Sequence, residues 1–242
     1  MRIIDIAATL GAKPTRRRCF REPNELLSFM NSYGLTDAVA WHTLAGGDPV
    51  AGNRLMDEIA TANPRIRAAH FVDAPDCAEP IERRLKAQRP AAVRLLPNAQ
   101  NLILDPFYCG ELFEVLDALH MPVILPQDEF NYRDLPTLLG TFKRVKLILL
   151  RQGFRSSRMI FPLMEKAENV YFDTSNMVDT GLLDQLVARF GADRLLFASG
   201  LPEYEPSGAL GLVAYARISD GDKQKIFADN WLRVEGEIAW PR

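Results

Sequence analysis

Eight short apolar runs punctuate the chain: RIIDIAA, DAVAWH, RIRAAHFV, AAVRLLP, PVILPQ, KLILLRQ, VYFDTS and LLFASG. Most are near-continuous rather than alternating. That pattern predicts strands of a parallel sheet whose outer face is covered. Amphipathic stretches separate them. EPNELLSFMNSYG places Leu26, Leu27, Phe29 and Met30 ahead of a stop at Gly34. DPVAGNRLMDEIATA opens on Asp48 and Pro49, a capping residue followed by a proline in the first helical turn. EPIERRLKAQ, FYCGELFEVLDALH, RDLPTLLGTFKR, SSRMIFPLMEKAE and TGLLDQLVARFG follow the same plan, and GDKQKIFADNWLRV predicts a closing helix.

Strict alternation of strand and helix implies parallel strands joined by right-handed crossovers. Eight such units predict an α/β fold, a single (β/α)8 barrel spanning residues 1–242. An open doubly wound sheet is the runner-up, but no GxGxxG loop follows the first strand. The tail EGEIAWPR is short enough to pack beneath the barrel.

Composition adds little beyond this. Of 242 residues, 48% are hydrophobic and 25% charged, and the net charge is −2, so neither nucleic acid nor an acidic membrane is demanded as a partner. Cys19, Cys77 and Cys109 are odd in number and widely spaced, which argues for reduced thiols and against a disulfide framework. No apolar run approaches the ~18 residues that span a bilayer, and no signal-type core opens the chain. The expectation is a cytoplasmic protein, with a homo-oligomer left open.

In a barrel of this kind, functional side chains stand at the C-terminal ends of the strands. Those ends supply Ala7 and Thr9, Trp41 and His42, His70, Arg94, Pro126 and Gln127, Arg151 and Gln152, Asp173 and Ser175, then Ser199 and Gly200. Arg94 and Arg151 each end an apolar strand. A guanidinium there is either paired, for example with Asp173 or Asp5, or serves as a fork for an anion. Gln127, Thr9 and Ser199 are further candidates for ligand contact. His70 is expected to face inward because small residues flank it, whereas His42 reads equally as a histidine bonded to backbone. Asp173 suits acid–base work or the holding of His70 or an arginine. Asp128 and Glu129 read as a loop turn, Glu203 and Glu205 as solvated loop acids. The basic run from Lys13 to Arg21 reads as a solvated loop or an anion funnel.

Several of these segments together resemble the amidohydrolase superfamily, in its amidohydrolase-related branch of metal-dependent TIM-barrel hydrolases. IIDIAATLG is similar to that family's opening strand Ile-Ile-Asp-x-His-x-His-x-Gly. KLILLRQGF resembles its strand-six segment, which ends in a metal-binding His. RLLFASGLP resembles Leu-Phe-Gly-Ser-Asp-x-Pro, and KIFADNWLRV its closing helix, with Asn230 retained. The resemblance implies a metal-activated water attacking an amide, ester or lactone. Yet the family's ligand positions fall on Ala7, Thr9, Pro126 or Gln127, Arg151 and Gly200. Alanine and glycine offer no donor, and a guanidinium repels a cation. The expectation is therefore a barrel without the family metal and with no other cofactor. It binds a small carboxylate-bearing ligand at Arg94, Arg151, Gln127, Thr9 and Ser199. Two outcomes stay open: a metal-independent hydrolase using His70, His42 or Asp173 as base, or a catalytically silent pseudoenzyme. The remaining alternative is a metal site rebuilt from His42, His70 and Asp173.

Overall fold

The computed structural model describes residues 1–12, 19–73 and 78–241. Most of the basic run, at 13–18, lies outside the described residues, as does Cys77. Eight strands appear in the order the apolar runs predict: β1 (Ile4–Leu10), β2 (Asp37–His42), β3 (Ile66–Phe71), β4 (Ala92–Arg94), β5 (Pro122–Pro126), β6 (Lys146–Leu150), β7 (Val170–Asp173) and β8 (Leu195–Leu196). Each pairs in parallel with the next, in sheet order β1 to β8. The Ile6 N–H donates to the Phe197 carbonyl at 3.2 Å, which carries β8 back to β1 and closes the barrel. The fold is a TIM barrel.

Helices follow the strands in turn: α1 (Pro23–Ser32), α2 (Pro49–Ala62), α3 (Ala78–Gln88), α4 (Pro106–Ala118), α5 (Leu135–Thr141), α6 (Ser157–Lys166) and α7 (Leu182–Phe190). Asp48 caps α2 as its sequence predicts, its Oδ1 accepting from the Ala51 N–H at 2.9 Å. Glu22 and Glu25 form a reciprocal capping box at the start of α1. The sequence reading missed α8 (Pro206–Ala214), where Gly208 and Gly211 blur the helical pattern. The closing helix consists of α9 (Asp220–Gln224), a π-helical turn and α10 (Asn230–Gly236). The buried Asn230 amide donates to the Ala192 and Leu195 carbonyls, both at 2.8 Å, tying this helix to the foot of β8.

Apolar side chains sort into two layers. Ile4, Ile6, Val39, Ile124, Ile148 and Leu196 fill the barrel, with Trp231 of α10 among them. Leu26, Met56, Phe113, Leu147 and Phe172 lie between strands and helices. This double burial is why the strands read as continuous apolar runs. One strand breaks the alternation. The register of β1 shifts between Asp5 and Ala8, so Ile6 and Ala7 both join the inner layer. Among the described residues, no helix is long and apolar enough to cross a membrane.

Candidate functional site

The strand tips of β1 to β4 build one half of the mouth around a single guanidinium. Ala92 belongs to the inner layer and Val93 to the outer, so alternation turns Arg94 into the barrel. Arg94 is 8% exposed. Its Cζ lies 4.8 Å from the centroid of the Trp41 ring, a cation–π contact. Trp41 is itself fixed, its Nε1 donating to Thr9 Oγ1 at 3.0 Å and its ring stacked on Phe71 at 6.0 Å. The Thr9 hydroxyl thus supports the tryptophan. Among the described residues Arg94 has no ion pair, and its buried Nε has no hydrogen-bond partner. Burial pushes its pKa down to about 10, helped by the charge of Arg151 and opposed by Glu203, Asp128 and Glu129. It remains charged at neutral pH.

The other half of the mouth is densely bonded. Arg151 follows β6 in a left-handed conformation, φ 61°. Its backbone N–H donates to Asp173 Oδ1 at 2.9 Å. Its guanidinium Nη2 reaches Asp128 Oδ1 at 2.5 Å. The ion pair that sequence reasoning allowed for Arg151 therefore exists, but with Asp128 rather than Asp173 or Asp5. Asp173 is fully buried and also accepts from the Ser175 hydroxyl. Burial pushes its pKa up to about 7, against the Ser175 and Arg151 hydrogen bonds that lower it. A carboxyl so poised can take up or release a proton at neutral pH. Gln152 accepts from the Tyr132 hydroxyl, while its buried Nε2 has no partner among the described residues. Burial and the charge of Asp173 push Tyr132 up to about 12.

The remaining candidates sit elsewhere. The inward orientation expected for His70 is not met. Its Nε2 lies 2.7 Å from Asp57 Oδ1 on α2, outside the barrel. Ile66, Ala68 and His70 share the outward face of β3, and the ring ties strand to helix. His42 ends β2 with its Nδ1 accepting from the Leu44 N–H at 3.1 Å, and burial lowers its pKa. Gly11 packs so closely that a Cβ there would stand 2.8 Å from the His42 ring. Gln127 is half-buried at the start of a short 3-10 turn that carries Asp128 and Glu129. The Ser199 hydroxyl donates to Asp5, whose carboxyl burial raises, so this pair stitches β8 to β1. Ser199 also borders a cleft of about 220 Å³ with Thr174, Met177, Tyr204, Ala209 and Leu212.

The donor set at the metal-ligand positions does not fit a divalent cation. Ala7 presents a methyl group, Thr9 is engaged by Trp41, and Arg151 is cationic. At Gly200 the backbone is left-handed, φ 79°, and a Cβ would stand 2.9 Å from the Tyr204 ring, so no acid side chain fits without moving that ring. Among the described residues, no group of three or more His, Cys, Asp or Glu is placed to hold a metal ion. His42, His70 and Asp173 do not converge.

The family model described as amidohydrolase matches residues 8–234. No protein of curated function matches the chain. Among solved structures, the chain is similar to an uncharacterized TIM-barrel protein from Bordetella bronchiseptica, at a TM-score of 0.78 and 16% identity, covering 98% of this chain and 99% of that one. It is similar to 5-carboxyvanillate decarboxylase from Sphingomonas paucimobilis, at 0.77 and 16% identity, covering 97% and 99%. It is also similar to 2,6-dihydroxybenzoate decarboxylase from Rhizobium, at 0.73 and 15% identity, covering 97% and 98%.

Proposed function

The chain belongs to the amidohydrolase family, and from that premise we propose that its mouth binds a small carboxylate-bearing ligand on guanidinium charge, without the family's metal. One observation carries this reading: Arg94 is buried, charged and unpaired among the described residues. Burying a lone guanidinium costs several kcal/mol, on the order of the penalty for any unpaired buried ion. A carboxylate arriving from solution removes that penalty, and the planar guanidinium accepts it in a bidentate grip. Trp41 supplies an aromatic wall behind the charge. The named substrates of two structural neighbours, 5-carboxyvanillate and 2,6-dihydroxybenzoate, are carboxylates on an aromatic ring and make natural first probes.

A second reading is favoured by Asp173 alone. A carboxyl titrating near 7 beside an arginine has the form of a general base. In a metal-independent hydrolase of a lactone, ester or amide, Asp173 would draw the proton from water while Arg94 and Arg151 hold the developing oxyanion. Both oxygens of Asp173 already accept hydrogen bonds, so the binding role stands first.

A thermal-shift screen of the purified protein against benzoate, 2,6-dihydroxybenzoate and 5-carboxyvanillate, alongside elemental analysis, tests the proposal. Stabilisation by at least one acid with substoichiometric zinc and manganese is the expected result. Stoichiometric metal, or no response to any carboxylate, overturns it. Turnover of the matching esters or lactones decides between binder and hydrolase.

A further inference from the structure

We propose that Asp128 is a tethered competitor for the mouth: its carboxylate sits on Arg151 in the place of a ligand's, and an incoming carboxylate displaces it. The inference rests on the anion-site reading above. The contact is a 2.5 Å charge pair in which Asp128 is 68% exposed and Arg151 only 21%. The acid is therefore the wet partner, free to leave, while the arginine is held from below through its backbone bond to Asp173. The turn carrying Asp128 is pinned. Asn98 Nδ2 donates to the Asp128 carbonyl at 2.8 Å, the Asn98 N–H donates to the Glu129 carbonyl at 3.1 Å, and Glu129 Oε2 accepts from the Ala99 N–H at 3.0 Å. With the backbone fixed on both sides, the moving part is one side chain. Asp128 also raises the pKa of Arg94, so its field reaches both arginines, although among the described residues its carboxylate contacts Arg151 alone.

A tethered competitor lowers by one factor the affinity of every anion that bridges Arg94 and Arg151 and so must displace Asp128. A pair closed about nine-tenths of the time reduces apparent affinity about tenfold.

The test measures the affinities of acetate and benzoate by titration calorimetry. The proteins are wild type, Asp128→Asn, Glu129→Gln and Arg94→Met, each checked for folding by circular dichroism. Asp128→Asn is expected to tighten both acids by the same factor, about tenfold, with Glu129→Gln changing them far less. An unchanged or weakened affinity in Asp128→Asn overturns the inference, as does an equal gain in Glu129→Gln, which would mark a general field rather than a contact. Arg94→Met separates the two claims. If it binds as wild type does, the anion-site reading falls; if it loses binding while Asp128→Asn matches wild type, only the competitor falls. Binding by none of the four proteins sinks both.

Discussion

The two ends of the barrel treat their charges in different ways. At the floor, Arg67 bonds Asp37 at 2.7 Å and Glu235 at 3.0 Å, Arg2 adds a second bond to Asp37 at 2.9 Å, and Lys146 meets Glu237 at 2.7 Å. Burial alone would raise Asp37, but the Arg2 and Arg67 guanidiniums outweigh it and hold its carboxyl well below the usual range. At the mouth, Arg94 has no carboxylate partner among the described residues, and burial lifts Asp173 towards neutrality. The floor pairs its charges with one another, whereas the mouth leaves Arg94 unpaired among the described residues. Breaking a closed network strands a buried charge without its partner, whereas a buried charge already unpaired is the mark of a candidate site.

Breaking the floor should give the largest effect. Asp37→Ala leaves Arg67 short of its main partner and is expected to cost about 3 kcal/mol of stability by denaturant titration, with carboxylate binding unchanged. Arg94→Met should do the reverse. Removing a buried charge that is unpaired among the described residues is expected to raise stability by about 1–3 kcal/mol while abolishing the response to carboxylates, both read from melting curves.

The pH dependence separates the two ends by sign. Asp37 has a depressed pKa, so its contribution is present above the unfolded value of 3.8 and is lost as pH falls. Asp173 keeps its proton up to about 7 when folded and releases it near 3.8 when unfolded. Its contribution is therefore full below 3.8, declines as pH rises between the two values and is flat above them. Asp173→Asn is expected to flatten stability between pH 4 and 7, and a slope equal to that of wild type would contradict it. The smallest effect is reserved for His70→Gln. Losing one strand-to-helix bond should cost about 1 kcal/mol and leave ligand affinity untouched.

The fold was legible because both faces of the strands are buried, which leaves apolar runs that only a covered parallel sheet explains. The same property hid the side-chain directions. In RIRAAHFV, Arg67, Ala69 and Phe71 alternate with Ile66, Ala68 and His70, and apolar residues on both sets gave no way to tell inside from outside. The outward turn of His70 was therefore unreadable until Asp57 on α2 was seen beside it. The ion pair of Asp128 with Arg151 was equally hidden, because an acid in a turn reads as part of the loop unless the arginine it meets is known. Arg94 was the opposite case. A cation closing the apolar run AAVR is either paired or a fork for an anion, and the structure buries it against Trp41 with no ion pair among the described residues.

The central claim is that guanidinium charge at Arg94 holds a carboxylate in this mouth. The most direct measurement is the benzoate-dependent rise in melting temperature of wild type and Arg94→Met, side by side in buffer containing a chelator. A rise in wild type that vanishes in Arg94→Met is the predicted result. An equal rise in both proteins, or one in wild type that the chelator removes, would contradict it.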